Sequence, residues 1–286
     1  MPDEDYRKAE GFNASSLKKT IRSLAHWKAD QEEKPEPTKA LIFGIVFHHH
    51  LLTPDEPMRV TVKPDGLSLA TKEGKAWKTT IPEDAMIITR VEEESITRMV
   101  QSIRNHPNAN AAFGMGRPEV SVFHEYKHPM TGEITQLKGR MDFVNDGGAI
   151  VDAKTTDDAR PANFASSAVE FGYFWQATFY LKFLWNPVCD ILGTPELKKS
   201  AFVFVAVEKA PPYAVKPYCV VDGTYDLYTP KIEEEIAKYA IAKRTGYYPS
   251  YPQDVALLAP PEWGVRKEVN NAMKLEATVD QPVATA

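Results

Sequence analysis

Cysteine is scarce: Cys189 and Cys219 are the only two in 286 residues. That excludes a disulfide framework and any four-cysteine zinc or iron–sulfur site. A reducing compartment, the cytoplasm, is expected. Excess positive charge is missing too. With 34 Lys and Arg against 39 Asp and Glu, the formal net charge is −5. The protein therefore does not hold nucleic acid by bulk charge, but local basic patches around an acidic, metal-filled site remain compatible with that balance. No apolar run suits a bilayer, since Ala40–Phe47 is too short and Phe171–Trp185 carries Gln176 and Lys182. Met1–Glu10 is charged throughout, so neither a signal peptide nor a membrane partner is expected. A Gly-x-x-x-x-Gly-Lys-Ser/Thr loop and a Gly-x-Ser-x-Gly elbow are both absent, which removes ATP-driven motors and serine hydrolases of that type.

What is present is the composition of a folded chain, 43% apolar and 26% charged. Its length fits one large α/β domain or two average ones, and no internal repeat is visible. A helix is expected from Asn13 or Ser15 to about Ala29, carrying Lys18, Lys19, Arg22 and Lys28 with no acid among them. That face is either merely solvated or in contact with phosphates. A second helix starts near Thr38 and carries Gly44 and His48-His49-His50. Residues 53–82 read as irregular and proline-punctuated, and helix returns from Glu83 to Asn105. After Pro118 come three β-rich runs, Glu119–Tyr126, Gln136–Val144 and Ala149–Thr155, separated by turn signals. Helices at Ala162–Glu170 and Tyr173–Leu184, strands at Phe202–Val207 and Ala214–Val221, and a helix at Thr229–Arg244 complete a mixed α/β sandwich. Residues 264–286 have little apolar pattern and read as a disordered tail.

The chemistry concentrates in Gly139-Arg140-Met-Asp142 and Ile150-Val-Asp152-Ala-Lys154-Thr-Thr. Asp152 and Lys154 lie two apart on a strand, so they share a face. Antiparallel pairing with the preceding strand would bring Asp142 to the same sheet edge. Two carboxylates at one spot repel unless a proton or a cation lies between them. Oxygen donors of that kind suit Mg²⁺, which acidifies a bound water while a neighbouring ammonium stabilises developing charge. An ordinary surface hairpin with ion pairs would carry the same Asp-x-Lys. Glu119, at the start of the preceding strand, is a candidate third carboxylate. Gln176 and Tyr180 lie one helical turn apart, and the Gln reads equally as a structural hydrogen-bonder or a DNA contact. Three adjacent histidines fan out by about 100° per step, so at most one reaches a given metal.

As an ordered set, Gly44-x-x-x-His48, Glu119, Gly139-Arg-Met-Asp142, Ile150-Val-Asp152-Ala-Lys154-Thr-Thr and Gln176-x-x-x-Tyr180 resembles the PD-(D/E)XK nucleases. It is most similar to the RecE-type exonuclease VIII domain of phages and prophages. The similarity runs from about Asn13 to Trp263 and includes Asn13-Ala-Ser-Ser-Leu-Lys-Lys, Thr71-Lys-Glu-Gly-Lys and Phe202-Val-Phe-Val-Ala-Val-Glu208. The resemblance implies an α/β fold with a central mixed sheet flanked by helices and with N-terminal helical additions. It implies an extension at 1–12 and one domain at 13–263, comprising a basic helical part (13–117) and a catalytic core (118–263). His48, Asp142 and Asp152 would hold metal (Mg²⁺, with Mn²⁺ able to substitute). Lys154 would be the catalytic lysine and Glu119 the upstream acid. Gln176, Tyr180, Lys18, Lys19, Arg22 and Arg140 would contact DNA. The implied activity is 5′→3′ digestion of double-stranded DNA ends. That digestion would leave 3′ single strands for a single-strand annealing partner in recombination. The implied assembly is a homo-oligomeric ring, a tetramer, working in a bacterial host's cytoplasm. A non-catalytic DNA-binding protein and a structure- or sequence-selective endonuclease are the alternative readings. Ile45 departs from the family's small or hydroxylated residue beside the histidine.

The histidines separate resemblance from spacing. If His48 is a ligand, His48→Ala raises the Mg²⁺ requirement for cleavage strongly while His49→Ala and His50→Ala do not. Mn²⁺, which accepts nitrogen donors more readily, then rescues better than Mg²⁺. Initial rates against metal concentration decide it, and equal, mild effects at all three positions would leave the carboxylates alone.

Overall fold

A central sheet follows from the β-rich runs after Pro118, and the helices before and after them cover its two faces. The computed structural model describes residues 1, 3–33, 36–199, 201–262 and 264–270. In chain order these are α1 (Asp3–Lys8), α2 (Ala14–Thr20), α3 (Leu24–Glu32), α4 (Lys39–Leu52), β1 (Val60–Lys63), α5 (Lys72–Lys78), β2 (Met86–Thr89), α6 (Arg90–Asn105) and α7 (Pro107–Ala112). There follow β3 (Gly116–Lys127), β4 (Ile134–Asn145), β5 (Ile150–Thr156), α8 (Pro161–Glu170) and α9 (Tyr173–Thr178). A π-helix spans Phe179–Trp185, and then come α10 (Asn186–Leu192), β6 (Phe202–Glu208), β7 (Val215–Cys219) and α11 (Asp222–Thr245).

The main sheet is five-stranded in the order β3-β4-β5-β6-β7. Only β5 and β6 run parallel, joined through α8, α9, the π-helix and α10; the other neighbours are antiparallel. One face packs Phe143, Val151, Ala153, Val205 and Val207 against α4 and α6. On the opposite face Met141, Ile150, Phe202 and Phe204 pack against Phe179, Phe183, Tyr225 and Ile236. β5 is thus buried on both sides, which explains its near-continuous apolar sequence.

Local sequence sets most boundaries. Asn13, Ser23, Thr38 and Thr89 each cap a helix by accepting a backbone N–H, and Thr89 with Glu92 forms a reciprocal capping box. The Ser23 cap is why the single helix expected over 13–29 is two. The Thr89 box likewise divides the expected 83–105 helix: Met86–Thr89 is a strand, paired in parallel with β1. Residues 53–82 are accordingly not irregular throughout, since they contain β1 and α5. The segment 1–12 is anchored to the sheet at its end. Phe12 is 1% exposed and its backbone exchanges hydrogen bonds with Gln136 and Lys138 on β4. The helix expected over 173–184 changes pitch to a π-helix at Phe179, and the last helix begins at Asp222 rather than Thr229.

From Tyr251 onward the chain forms a separate unit. Residues 264–270 are helical rather than disordered, and residues 271–286 of the expected tail lie outside the described residues. Among the described residues no helix is long and apolar enough to cross a membrane.

Gly139 has a packing role in β4. A Cβ there would lie 2.4 Å from Leu184 Cδ1 and 3.0 Å from Tyr180 Cε1, and both side chains are buried. Gly139→Ala should therefore cost about 1–3 kcal/mol through overpacking. Urea unfolding measures this, and an unchanged midpoint would show that the π-helix yields freely.

Candidate active site

The sheet aligns three acids in one transverse row. In the β3–β4 ladder Glu119 stands opposite Asp142, between the pairs Pro118–Phe143 and Val120–Met141. β4 and β5 pair only at Val144–Ile150 and Phe143–Val151. One further step along both strands sets Asp142 opposite Asp152, and there the ladder opens. The Ala153 N–H donates to Asp142 Oδ2 at 3.0 Å instead of to a strand carbonyl. Glu119 takes φ = 52°, a left-handed conformation in mid-strand. For a non-glycine residue this costs on the order of 1–3 kcal/mol and persists only where the surroundings over-determine it.

Each acid has a cation. Asp152 is 1% exposed, and the Lys154 ammonium stands 2.6 Å from its Oδ2. Gln176 spans the pair, its Nε2 donating to Asp152 Oδ1 at 2.7 Å and its Oε1 accepting from Lys154 Nζ at 3.1 Å. The Tyr173 ring lies 4.8 Å beneath the same ammonium, a contact without a signal in the motifs. On the other side of the opening, His48 Nδ1 lies 3.4 Å from Asp142 Oδ2, and its Nε2 lies 3.0 Å from the Ala153 carbonyl oxygen. Arg140 Nε donates to Glu119 Oε2 at 2.5 Å.

These contacts push the protonation equilibria apart. Burial raises the Asp152 carboxyl, the charge of Asp142 adds to it, and Lys154 only partly offsets them, leaving a pKa of about 6. Burial acts in the same sense on Asp142, but the charge and hydrogen bond of His48, with Lys154, outweigh it and hold this group below its ordinary 3.8. Burial opposes the charged forms of His48 and Lys154, yet the aspartates raise both. Glu119 is raised, by burial first and then by Asp142, against the pull of Arg140. A row whose members titrate apart, in a water-poor setting, is the kind that acid–base chemistry uses.

A cavity of about 470 Å³ adjoins the row, lined by Gly44, Ile45, His48, Glu119 and Arg140 among others. Ile45, the departure from the family pattern, lines this cavity beside His48. Among the described residues no three His, Cys, Asp or Glu side chains are grouped as a ready metal cage. The expected ligands His48, Asp142 and Asp152 fall short of one because each is turned to a partner, and both ring nitrogens of His48 are engaged. The donor chemistry nevertheless fits a hard divalent cation. Asp152 Oδ2 is buried with the Lys154 ammonium as its neighbour, and the Asp142 carboxylate and Ala153 carbonyl converge on one imidazole. Oxygen donors of this type are what such ions take, and a cation there would replace the charge that a protonated His48 supplies.

Of the expected DNA contacts, Gln176 and Arg140 are tied into the row. Tyr180 is 8% exposed and packs beside Gly139, as a buried side chain rather than a surface contact. Lys18 donates to the Phe171 carbonyl at 3.1 Å, and Lys19 pairs with Asp30 at 3.0 Å. Arg22 lies at the turn between α2 and α3. His124–His128 also spells His-Glu-x-x-His, a zinc-protease pattern when helical. Here it runs off the end of β3, where such a spacing sets the two histidines about 13 Å apart, and His128 Nδ1 already accepts from the Thr131 N–H.

Residues 13–258 match the family described as a PDDEXK-like domain of unknown function (DUF3799). The chain belongs to this family. Its fold is also similar to the crystal structure of a Eubacterium rectale protein provisionally described as an exonuclease. That likeness has a TM-score of 0.59 at 15% identity and covers 91% of this chain and 95% of the other. A second structure, SSO0001, covers 54% of this chain and 69% of its own at 15% identity, with a TM-score of 0.28 that carries no weight. No curated protein matches the sequence.

The raised Asp152 pKa has a stability consequence in metal-free buffer. Between its ordinary 3.8 and about 6 the folded state binds more protons than the unfolded state, so stability falls as pH rises through this window. Asp152→Asn should flatten that part of the profile. Thermal unfolding in EDTA across pH 4–7 tests this, and an unchanged slope in a folded variant would assign the titration elsewhere.

Proposed function

We propose that the protein is a Mg²⁺-dependent double-stranded DNA exonuclease acting 5′→3′. The observation carrying this reading is the opening between β4 and β5, where Asp142 and Asp152 meet in register with the Lys154 ammonium 2.6 Å from Asp152. Membership of a PDDEXK-like family and the fold shared with the Eubacterium rectale protein support nuclease chemistry.

A divalent cation held by Asp142, Asp152, the Ala153 carbonyl and His48 would polarise the phosphodiester and acidify an attacking water. Lys154, fixed by Asp152, Gln176 and the Tyr173 ring, orients that water and stabilises charge building on the phosphate oxygens. Gln176 holds acid and lysine in one geometry, so little reorganisation is needed as charge develops. Glu119, raised in pKa and facing Asp142, accepts a proton from water on the cavity side. Arg140 balances Glu119 and lies toward the incoming strand. The 3′ single strands so produced suit a single-strand annealing protein in recombination, and a homo-oligomeric ring (a tetramer by the family resemblance) keeps the enzyme on its duplex.

A time course on duplex labelled at either the 5′ or the 3′ end, in Mg²⁺ or EDTA, tests polarity and metal dependence together. Cleavage of closed circular duplex would indicate an endonuclease instead, and metal-independent binding without cleavage a non-catalytic scaffold. Lys154→Ala is expected to abolish cleavage while DNA binding stays nearly intact, because the ammonium acts on the transition state. Full activity in the folded variant would remove this mechanism.

A further inference from the structure

We propose that a second cavity, formed by the N-terminal segment with α2, α3, β4 and α11, binds a phosphate-bearing anion of up to nucleotide size. It encloses about 450 Å³, and its charged lining is Arg7, Lys8, Lys19, Lys138 and Lys243 against the single acid Glu10. Lys138 precedes Asp142 by four residues on β4, about 13 Å along the strand, so this site neighbours the carboxylate row without containing it, and Arg7 lines both cavities.

Lys138 carries the argument. It is 6% exposed, and its ammonium donates to the carbonyl oxygens of Tyr6 at 3.0 Å and Ala9 at 2.6 Å. The Tyr6 ring lies 4.8 Å away. Among the described residues no carboxylate pairs with it. Its hydrogen bonds are met by neutral groups while its charge is not, and buried charges are ordinarily paired. Burial lowers its pKa accordingly. Gly11, at φ = 155°, crosses the lysine stem so closely that a Cβ would lie 2.8 Å from Lys138 Cγ. The backbone thus pins this cation at the cavity wall.

The remaining walls suit the same ligand. Lys8, Lys19 and Lys243 are partly exposed and pair with Glu4, Asp30 and Glu10, contacts weak enough to be exchanged for a bound anion. Trp27, at 8% exposure, lines the cavity, and its buried Nε1 has no hydrogen-bond partner. A phosphate monoester brings close to two negative charges and three acceptor oxygens. The volume exceeds what inorganic phosphate fills and falls in the range of small-ligand pockets. The phosphate can come from a free nucleotide or from a DNA backbone, and the test distinguishes these sources.

The full chain in EDTA is titrated with inorganic phosphate, with deoxyadenosine monophosphate and with a short duplex, following tryptophan fluorescence. Trp27→Phe identifies the signal that arises at this wall. Lys138→Met, which keeps the buried stem, should weaken binding about tenfold. Lys243→Gln, on the solvent side and safe for folding, should weaken it severalfold, and circular dichroism checks both variants. Lys138-dependent binding of phosphate or the mononucleotide supports the site with a free ligand; Lys138-dependent binding of duplex alone supports it with a backbone phosphate. Lys154→Ala should bind phosphate and mononucleotide like the wild type, so loss of the nuclease reading leaves this one standing. No saturable binding of any probe, or unchanged binding in both lysine variants, overturns it.

Discussion

Two carboxylates set in register at the point where a β-ladder ends are the constraint around which this molecule is organised. Asp142 and Asp152 would face each other across β4 and β5, and their repulsion, with the low polarity around them, works against an ordinary strand pair. The ladder stops after Phe143–Val151. The freed Ala153 N–H and carbonyl are taken by Asp142 and His48, and the two aspartates turn to cations on opposite sides of the opening. Once the strands part, α4 must bring an imidazole to one side, and the α9 turn must bring an amide and an aromatic ring to the other. The site is the price of the break in the sheet.

That arrangement gives the nearby oddities a common cause. Glu119 occupies a strained conformation in the row where Asp142 has no regular partner. Gly139 lacks a side chain because the π-helix carrying Tyr180 and Leu184 lies directly on β4. π-turns within helices are uncommon and often accompany functional sites. Here the change of pitch begins three residues after Gln176, so the amide and the packed tyrosine belong to differently wound segments. The pair reads as one motif in sequence, but Gln176 binds the acid–lysine pair and Tyr180 fills the core.

The basic residues divide by burial. Lys154 is buried beside carboxylates and is held charged by them. Lys138 is buried beside carbonyls and lacks such compensation. Lys19 and Lys243 are exposed enough to change partners. An overall charge of −5 therefore coexists with two separate places where positive charge is concentrated and confined.

Much of this was legible in the chain before any coordinates. Alternating apolar runs and turn residues placed β3 to β7 to within three residues at each end, because strands buried on one or both faces must carry that pattern. The two-residue spacing put Asp152 and Lys154 on one face, and the hairpin between β4 and β5 implied that Asp142 would join them. Capping residues decided helix limits by local hydrogen bonds, yet Ser23 and Thr89 were hidden inside longer amphipathic patterns and became visible only with the backbone. Tertiary structure alone determined the strained Glu119, the opening of the ladder, the Tyr173 ring under Lys154, the burial of Tyr180 and the uncompensated charge of Lys138. Sequence periodicity records which side of an element a residue occupies. The charge, strain and burial of that residue depend on what the rest of the chain, 153 positions away for Lys18 and Phe171 and 233 for Glu10 and Lys243, packs against it.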